Sequence, residues 1–186
     1  MAPIKDQEKI DLFKEELKNT NKSVYILVYV SLYTGLRLED ILVLKNGQVR
    51  DTHIRIKEKK TNKSQRIVIN PNLSAVFPNG EEDDYLIKDK INPDNPMDKT
   101  VVLKILQKAA DKVGINGFSE DTLRQTFGYH LYQSFQNHPA ETPVFYDKEQ
   151  QIKLMQDVLG LNSTEETKEY IGIVEYPFMR KRFGVD

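Results

Sequence analysis

The chain has 186 residues, enough to bury one hydrophobic core, and its 39% hydrophobic and 30% charged residues are the balance expected of an ordinary globular domain. It contains no cysteine, which excludes disulfides and thiolate chemistry and makes a reducing cytoplasm the expected compartment. A formal net charge of −1 neither demands nor forbids a nucleic-acid partner, because a neutral chain can still carry a basic face.

No apolar run approaches the roughly 18 residues of a membrane span, and Met1-Ala-Pro-Ile-Lys5 lacks the apolar region of a signal peptide. The three histidines, His53, His130 and His138, show no metal-ligand spacing, so neither a metal nor a cofactor is expected.

Apolar Ile10, Phe13 and Leu17 recur at helical spacing and predict a helix within 4–18, with Asp6 as cap. Residues 21–33 are apolar on most faces and predict a buried central helix, ended by Gly35. A short helix follows over 38–44, stopped by Asn46-Gly47. Alternation over 49–58 and a β-rich run over 65–69 predict a hairpin turning at Thr61-Asn62-Lys63. Its window 50–66 holds seven basic residues against two acids, a local charge of +5. On charge alone this is a solvated hairpin. Tyr85-Leu86-Ile87 suggests a short edge strand, and 92–98 a loop. Helices are expected over 99–113, from a Ser119 cap to about Phe135, and over 148–159, with a long loop at 136–146. Ser163 followed by Glu166 is a capping-box pattern that starts a last helix near Thr164, carrying Tyr170 about two turns in. The tail contains the basic cluster Arg180-Lys181-Arg182. The expected fold class is mainly α with a small antiparallel β-sheet (α+β), in one domain over 1–186.

Four stretches carry more specific information. Thr34-Gly-Leu-Arg37-Leu-Glu-Asp40-Ile-Leu-Val-Leu44 resembles the first arginine box of the tyrosine recombinase (phage integrase) family. The basic hairpin with Lys60 follows, then Leu123-Arg-Gln-Thr-Phe-Gly-Tyr-His130, then Leu159-Gly160 ahead of Tyr170-Ile-Gly-Ile173. The order and spread over about 140 residues resemble integrases of Gram-positive phages and mobile elements. The match covers the C-terminal catalytic domain. The N-terminal core-binding domain of such enzymes has no counterpart, so a fragment or a shortened protein is expected.

The resemblance implies cleavage and rejoining of double-stranded DNA through a 3′-phosphotyrosine intermediate. Tyr170 would be the nucleophile. Arg37 and Arg124 would clamp the phosphate, since guanidinium forks match non-bridging oxygens bidentately. Lys60 would protonate the leaving 5′ oxygen; Lys59 and Lys63 are rivals, and Lys60 is preferred because it directly precedes Thr61 in the family pattern. Asp40 would buttress the clamp by pairing with an arginine. Taken singly, Arg37 would read as a cation at a helix end.

Two positions depart from the pattern. Asp121 stands where the family has histidine or lysine, and Leu161 where it has histidine or tryptophan. Leu161 would lose a phosphate hydrogen bond. Asp121 would repel the phosphate by roughly 4 kcal/mol at about 4 Å and an effective dielectric near 20, pair with Arg124, or turn out to solvent. Slow or absent cleavage is the expectation, with a catalytically degenerate, DNA-binding regulator as the alternative. By resemblance, self-association on DNA through the C-terminal tail is also expected.

Overall fold

The computed structural model describes residues 2–59, 64–137 and 147–173. Lys60, Thr61, Asn62 and Lys63, most of the 136–146 loop and the Arg180–Arg182 cluster lie outside the described residues.

Helix α1 (Gln7–Thr20) is capped by Asp6, whose side chain accepts the Glu8 N–H, and buries the expected stripe of Ile10, Phe13 and Leu17. Asn21 caps α2 (Lys22–Thr34), which is buried along most of its length. Gly35 ends it in the left-handed region at φ 66°. Helix α3 (Leu38–Leu42) then runs into a 3-10 turn over Asn46–Val49. Strands β1 (His53–Lys57) and β2 (Ser64–Val68) pair antiparallel, with Arg55 opposite Arg66. The 85–87 segment forms only a bridge, Lys45 to Tyr85, with the Leu86 N–H on the Leu44 carbonyl at 2.8 Å, so the sheet has two strands.

A short helix absent from the sequence expectation, α4 (Pro71–Ser74), is capped by Asn70 with proline in its first turn. Helix α5 (Lys99–Lys112) takes Asp98 as its cap. Helix α6 (Thr122–Asn137) begins later than a Ser119 cap implies. Ser119 instead bonds Thr122, and the Asp121 carbonyl accepts the Gln125 N–H at 2.8 Å, which puts Asp121 at the head of the helix. Helix α7 (Lys148–Leu159) opens with an Asp147–Gln150 capping box and closes at Gly160 (φ 55°). Helix α8 (Thr164–Tyr170) is capped by Ser163 as expected, although Glu166 reaches the Asn162 N–H rather than that of Ser163.

Among the described residues, two apolar clusters result. The larger gathers α1, α2, α3, β1 and α5 with residues such as Phe13, Leu27, Ile41, Ile54 and Leu106. The smaller joins α6, α7 and α8 through Tyr132, Ile152, Met155, Leu159 and Ile171. Helix α6 contributes Leu123 to the first and Tyr132 to the second. Its opening turns lie along the seam, and there the chemistry collects.

Candidate active site

Arg124, on the first turn of α6, is only 6% exposed. Its Nε donates to the Gly35 carbonyl and its Nη2 to the Leu159 carbonyl, both at 2.6 Å. Both acceptors belong to helix ends, where carbonyls lack intrahelical partners and the dipole favours a cation. Two unrelated helices thus orient one guanidinium. Burial lowers the Arg124 pKa, Tyr170 opposes that shift, and the positive charge of Arg37 adds to it, so the three groups share one field.

Arg37 caps α3 just beyond the Gly35 turn. A side chain at Gly35 would meet the Phe127 ring, with Cδ1 at 2.5 Å, so the glycine lets α6 close on this turn. Arg37 Nη1 donates to Glu58 Oε2 at 2.7 Å, and the side chains are 12% and 5% exposed. Glu58 also accepts from Gln65 Nε2.

Asp40 corrects an expectation. It is fully buried, yet among the described residues it bonds no arginine: Oδ1 accepts the Lys59 backbone N–H at 2.9 Å, and Oδ2 has no hydrogen-bond partner there. The arginine's carboxylate partner is Glu58 instead. Burial raises the Asp40 pKa, partly offset by the Lys59 N–H. Asp40 therefore pins the backbone one residue before Lys60, whose own position lies outside the described residues.

Asp121 has a partner that the sequence reading did not name. It accepts the Tyr170 hydroxyl proton, Oη to Oδ1 at 2.9 Å. Burial raises the Tyr170 pKa, Arg124 lowers it and Asp121 raises it, with a net shift well above the usual phenol range. The tyrosine is held neutral, hydrogen-bonded to a carboxylate and beside an arginine.

Leu161 is half-buried and packs against the smaller apolar cluster together with Tyr170. Its N–H meets the Gln156 carbonyl at 3.0 Å, and its carbonyl accepts from Gln156 Nε2 at 3.3 Å. Where a phosphate donor is expected, the residue supports the α7–α8 turn by packing.

The structure thus brings Arg37, Arg124, Tyr170 and Asp121 together, with Asp40 beneath and Leu161 beside. Glu58 is the member that sequence reasoning missed. A signal existed: Ile54, Ile56 and Glu58 follow the period of two that marks one strand face, and all three are buried. Among the described residues there is no group of three or more His, Cys, Asp or Glu side chains that could hold a metal, and no helix long and apolar enough to cross a membrane.

A mainly helical domain with a two-stranded sheet, two arginines and a tyrosine at one seam is the architecture of a tyrosine recombinase catalytic domain. The phage integrase family model matches residues 6–140, and the chain belongs to that family, whose work is site-specific DNA recombination. It is 32% identical over 180 residues to the probable integrase/recombinase YoeC of Bacillus subtilis, spanning 94% of this chain and 91% of that one. Solved structures share the fold at lower identity. The catalytic domain of bacteriophage HP1 integrase superposes with a TM-score of 0.64 at 18% identity, covering 98% of this chain and 95% of that one. XerA recombinase gives 0.68 at 17% identity over 99% of this chain and 63% of its own. The Tn1549 transposon integrase, solved with circular intermediate DNA, gives 0.62 at 14% identity over 100% and 64%.

Proposed function

We propose that this chain cleaves and rejoins double-stranded DNA with Tyr170 as nucleophile and Asp121 as the acceptor of its proton. The observation that carries the reading is the 2.9 Å hydrogen bond from the Tyr170 hydroxyl to Asp121 beside the buried Arg124. A neutral phenol is a poor nucleophile, and a positioned carboxylate removes the proton as the oxygen attacks.

The steps balance. Tyr170 Oη bonds to phosphorus, its proton passes to Asp121, and the P–O5′ bond breaks. Lys60 gives a proton to the departing 5′ oxygen. The 3′-phosphotyrosine keeps the phosphoester, so a 5′-hydroxyl reverses the steps without an added energy source. Arg37 and Arg124 neutralise the charge that gathers on the non-bridging oxygens. Arg37 exchanges Glu58 for the phosphate or shares itself between them. Asp40 sets the strand end that leads to Lys60. The chain acts in the cytoplasm, and its tail beyond Tyr170 joins protomers on DNA.

A second reading has two observations in its favour. The same hydrogen bond that serves a base also holds the tyrosine neutral, and Glu58 occupies Arg37. In that reading the chain binds DNA as a regulator, and the arginines serve as salt-dependent phosphate contacts. Incubation with a nicked suicide substrate separates the two. Strand cleavage predicts a covalent DNA–protein adduct that disappears in Tyr170→Phe; binding with no adduct supports the regulator.

A further inference from the structure

The run Thr126-Phe-Gly-Tyr-His130 lies about half a turn to two turns beyond Arg124, and the reaction uses none of its side chains. The structure gives most of them a partner in one of two places: the N-terminal segment Pro3–Lys5, or the turn immediately after Tyr170. Thr126 Oγ1 accepts the Ile4 N–H at 2.9 Å in a buried setting. His130 Nε2 lies 2.9 Å from the Ile4 carbonyl. A carbonyl can only accept, so the ring proton sits on Nε2 and the histidine donates. Ile4 is thereby bound through both of its backbone groups.

The neighbouring residues reach the tyrosine segment. Lys5 Nζ donates to the Gly172 carbonyl at 3.0 Å and lies 4.9 Å from the centre of the Tyr129 ring. Gly172 adopts φ +71°, and a side chain there would approach Pro3 Cδ to 2.9 Å. On the inner side, a Cβ on Gly128 would come within 2.5 Å of Ile171 Cγ2, and Ile171 is fully buried. The two residues that follow Tyr170 are therefore gripped from both sides: Ile171 by α6, and Gly172 by the N-terminal segment.

We infer that Pro3–Lys5 and the Gly128-Tyr129-His130 run form a latch that positions the Tyr170 hydroxyl for attack. Lys5 and His130 are its positioning residues. The inference rests on the strand-cleavage reading for its consequence and on the contacts above for its existence. The latch acts at a distance from the phosphate. Lys5 meets a backbone carbonyl two residues past the nucleophile, so its loss loosens Tyr170 without removing a group from the reaction. Misplacement of a reacting atom by about 1 Å costs up to roughly a hundredfold in rate, and loss of one of several contacts costs less.

The test uses the full chain with Lys5→Ala, Lys5→Arg and His130→Ala. Single-turnover adduct formation on the nicked substrate is expected to fall about tenfold in Lys5→Ala and His130→Ala, with the DNA Kd and its salt dependence unchanged. Lys5→Arg, which can still donate to Gly172, should recover most of the rate. If Kd weakens in step with the rate and the salt slope drops by about one, Lys5 is a phosphate contact and the latch is overturned. Hydrogen exchange without DNA supplies a readout independent of chemistry. Lys5→Ala should speed exchange of the Ile171, Gly172 and Ile173 amides severalfold while leaving α1 and α5 unchanged. Unaltered exchange in that segment overturns the latch. Absence of an adduct in the wild-type chain would instead refute strand cleavage and leave the exchange result to decide the latch.

Discussion

Replacing Asp121 with asparagine gives opposite results under two accounts of the same residue. The substitution keeps the size and an acceptor oxygen 2.9 Å from the Tyr170 hydroxyl, but removes the charge and the capacity to take a proton. If Asp121 is the base, its loss costs about 10² to 10⁴ in the rate of adduct formation. If Asp121 chiefly repels the phosphate, removing roughly 4 kcal/mol of repulsion speeds the step by about 10³. These outcomes lie many orders of magnitude apart. The pH profile sharpens the contrast. Burial and the adjacent carboxylate place the Tyr170 pKa above that of a free phenol, so the phenolate is scarce near neutrality. With the base removed, the rate should climb about tenfold per pH unit between about pH 7 and 9, as solvent hydroxide takes over, while the wild-type rate stays flatter. Single-turnover adduct formation on the nicked substrate, read on a denaturing gel, measures both. An Asp121→Asn protein that reacts as fast as wild type or faster refutes the assignment.

Two further outcomes concern the scaffold. Glu58→Ala leaves the guanidinium of Arg37 in a site where both side chains are nearly buried, so thermal unfolding should show a loss of about 3–5 kcal/mol; a loss below about 1 kcal/mol would mean the pair is not buried in solution. Gly128→Ala forces a methyl against Ile171 Cγ2 at 2.5 Å and Leu159 Cδ1 at 3.2 Å, and should cost about 1–3 kcal/mol of stability; full retention would show that α8 relaxes freely.

Much of the fold was legible because the signals were local. The stripe of Ile10, Phe13 and Leu17, the Gly35 stop and the Ser163 cap each depend on a few neighbouring residues, and each holds in the structure. The start of α6 was misread because Ser119 has a rival partner in Thr122 three residues on, which keeps the turn before Asp121 out of the helix. Helix α4 was passed over although Asn70-Pro71 carries both a cap and a first-turn proline. In the site, the arginine and tyrosine positions could be carried over from the family pattern, but their partners could not. Asp40 and Glu58 lie 18 residues apart, and which of them meets Arg37 depends on how β1 returns past α3. The partner of Asp121 is 49 residues away, across the packing of α6 on α8, and no spacing rule announces it. The N-terminal contacts of His130, 126 residues distant, were beyond any local signal.

Strand cleavage through Tyr170 is tested most directly by the covalent adduct. Wild-type protein incubated with a nicked suicide DNA substrate should accumulate a DNA–protein species that survives denaturation, and Tyr170→Phe should bind the same DNA with similar affinity and yield none. A wild-type chain that binds the substrate and never forms the adduct, or an adduct that persists in Tyr170→Phe, would contradict it.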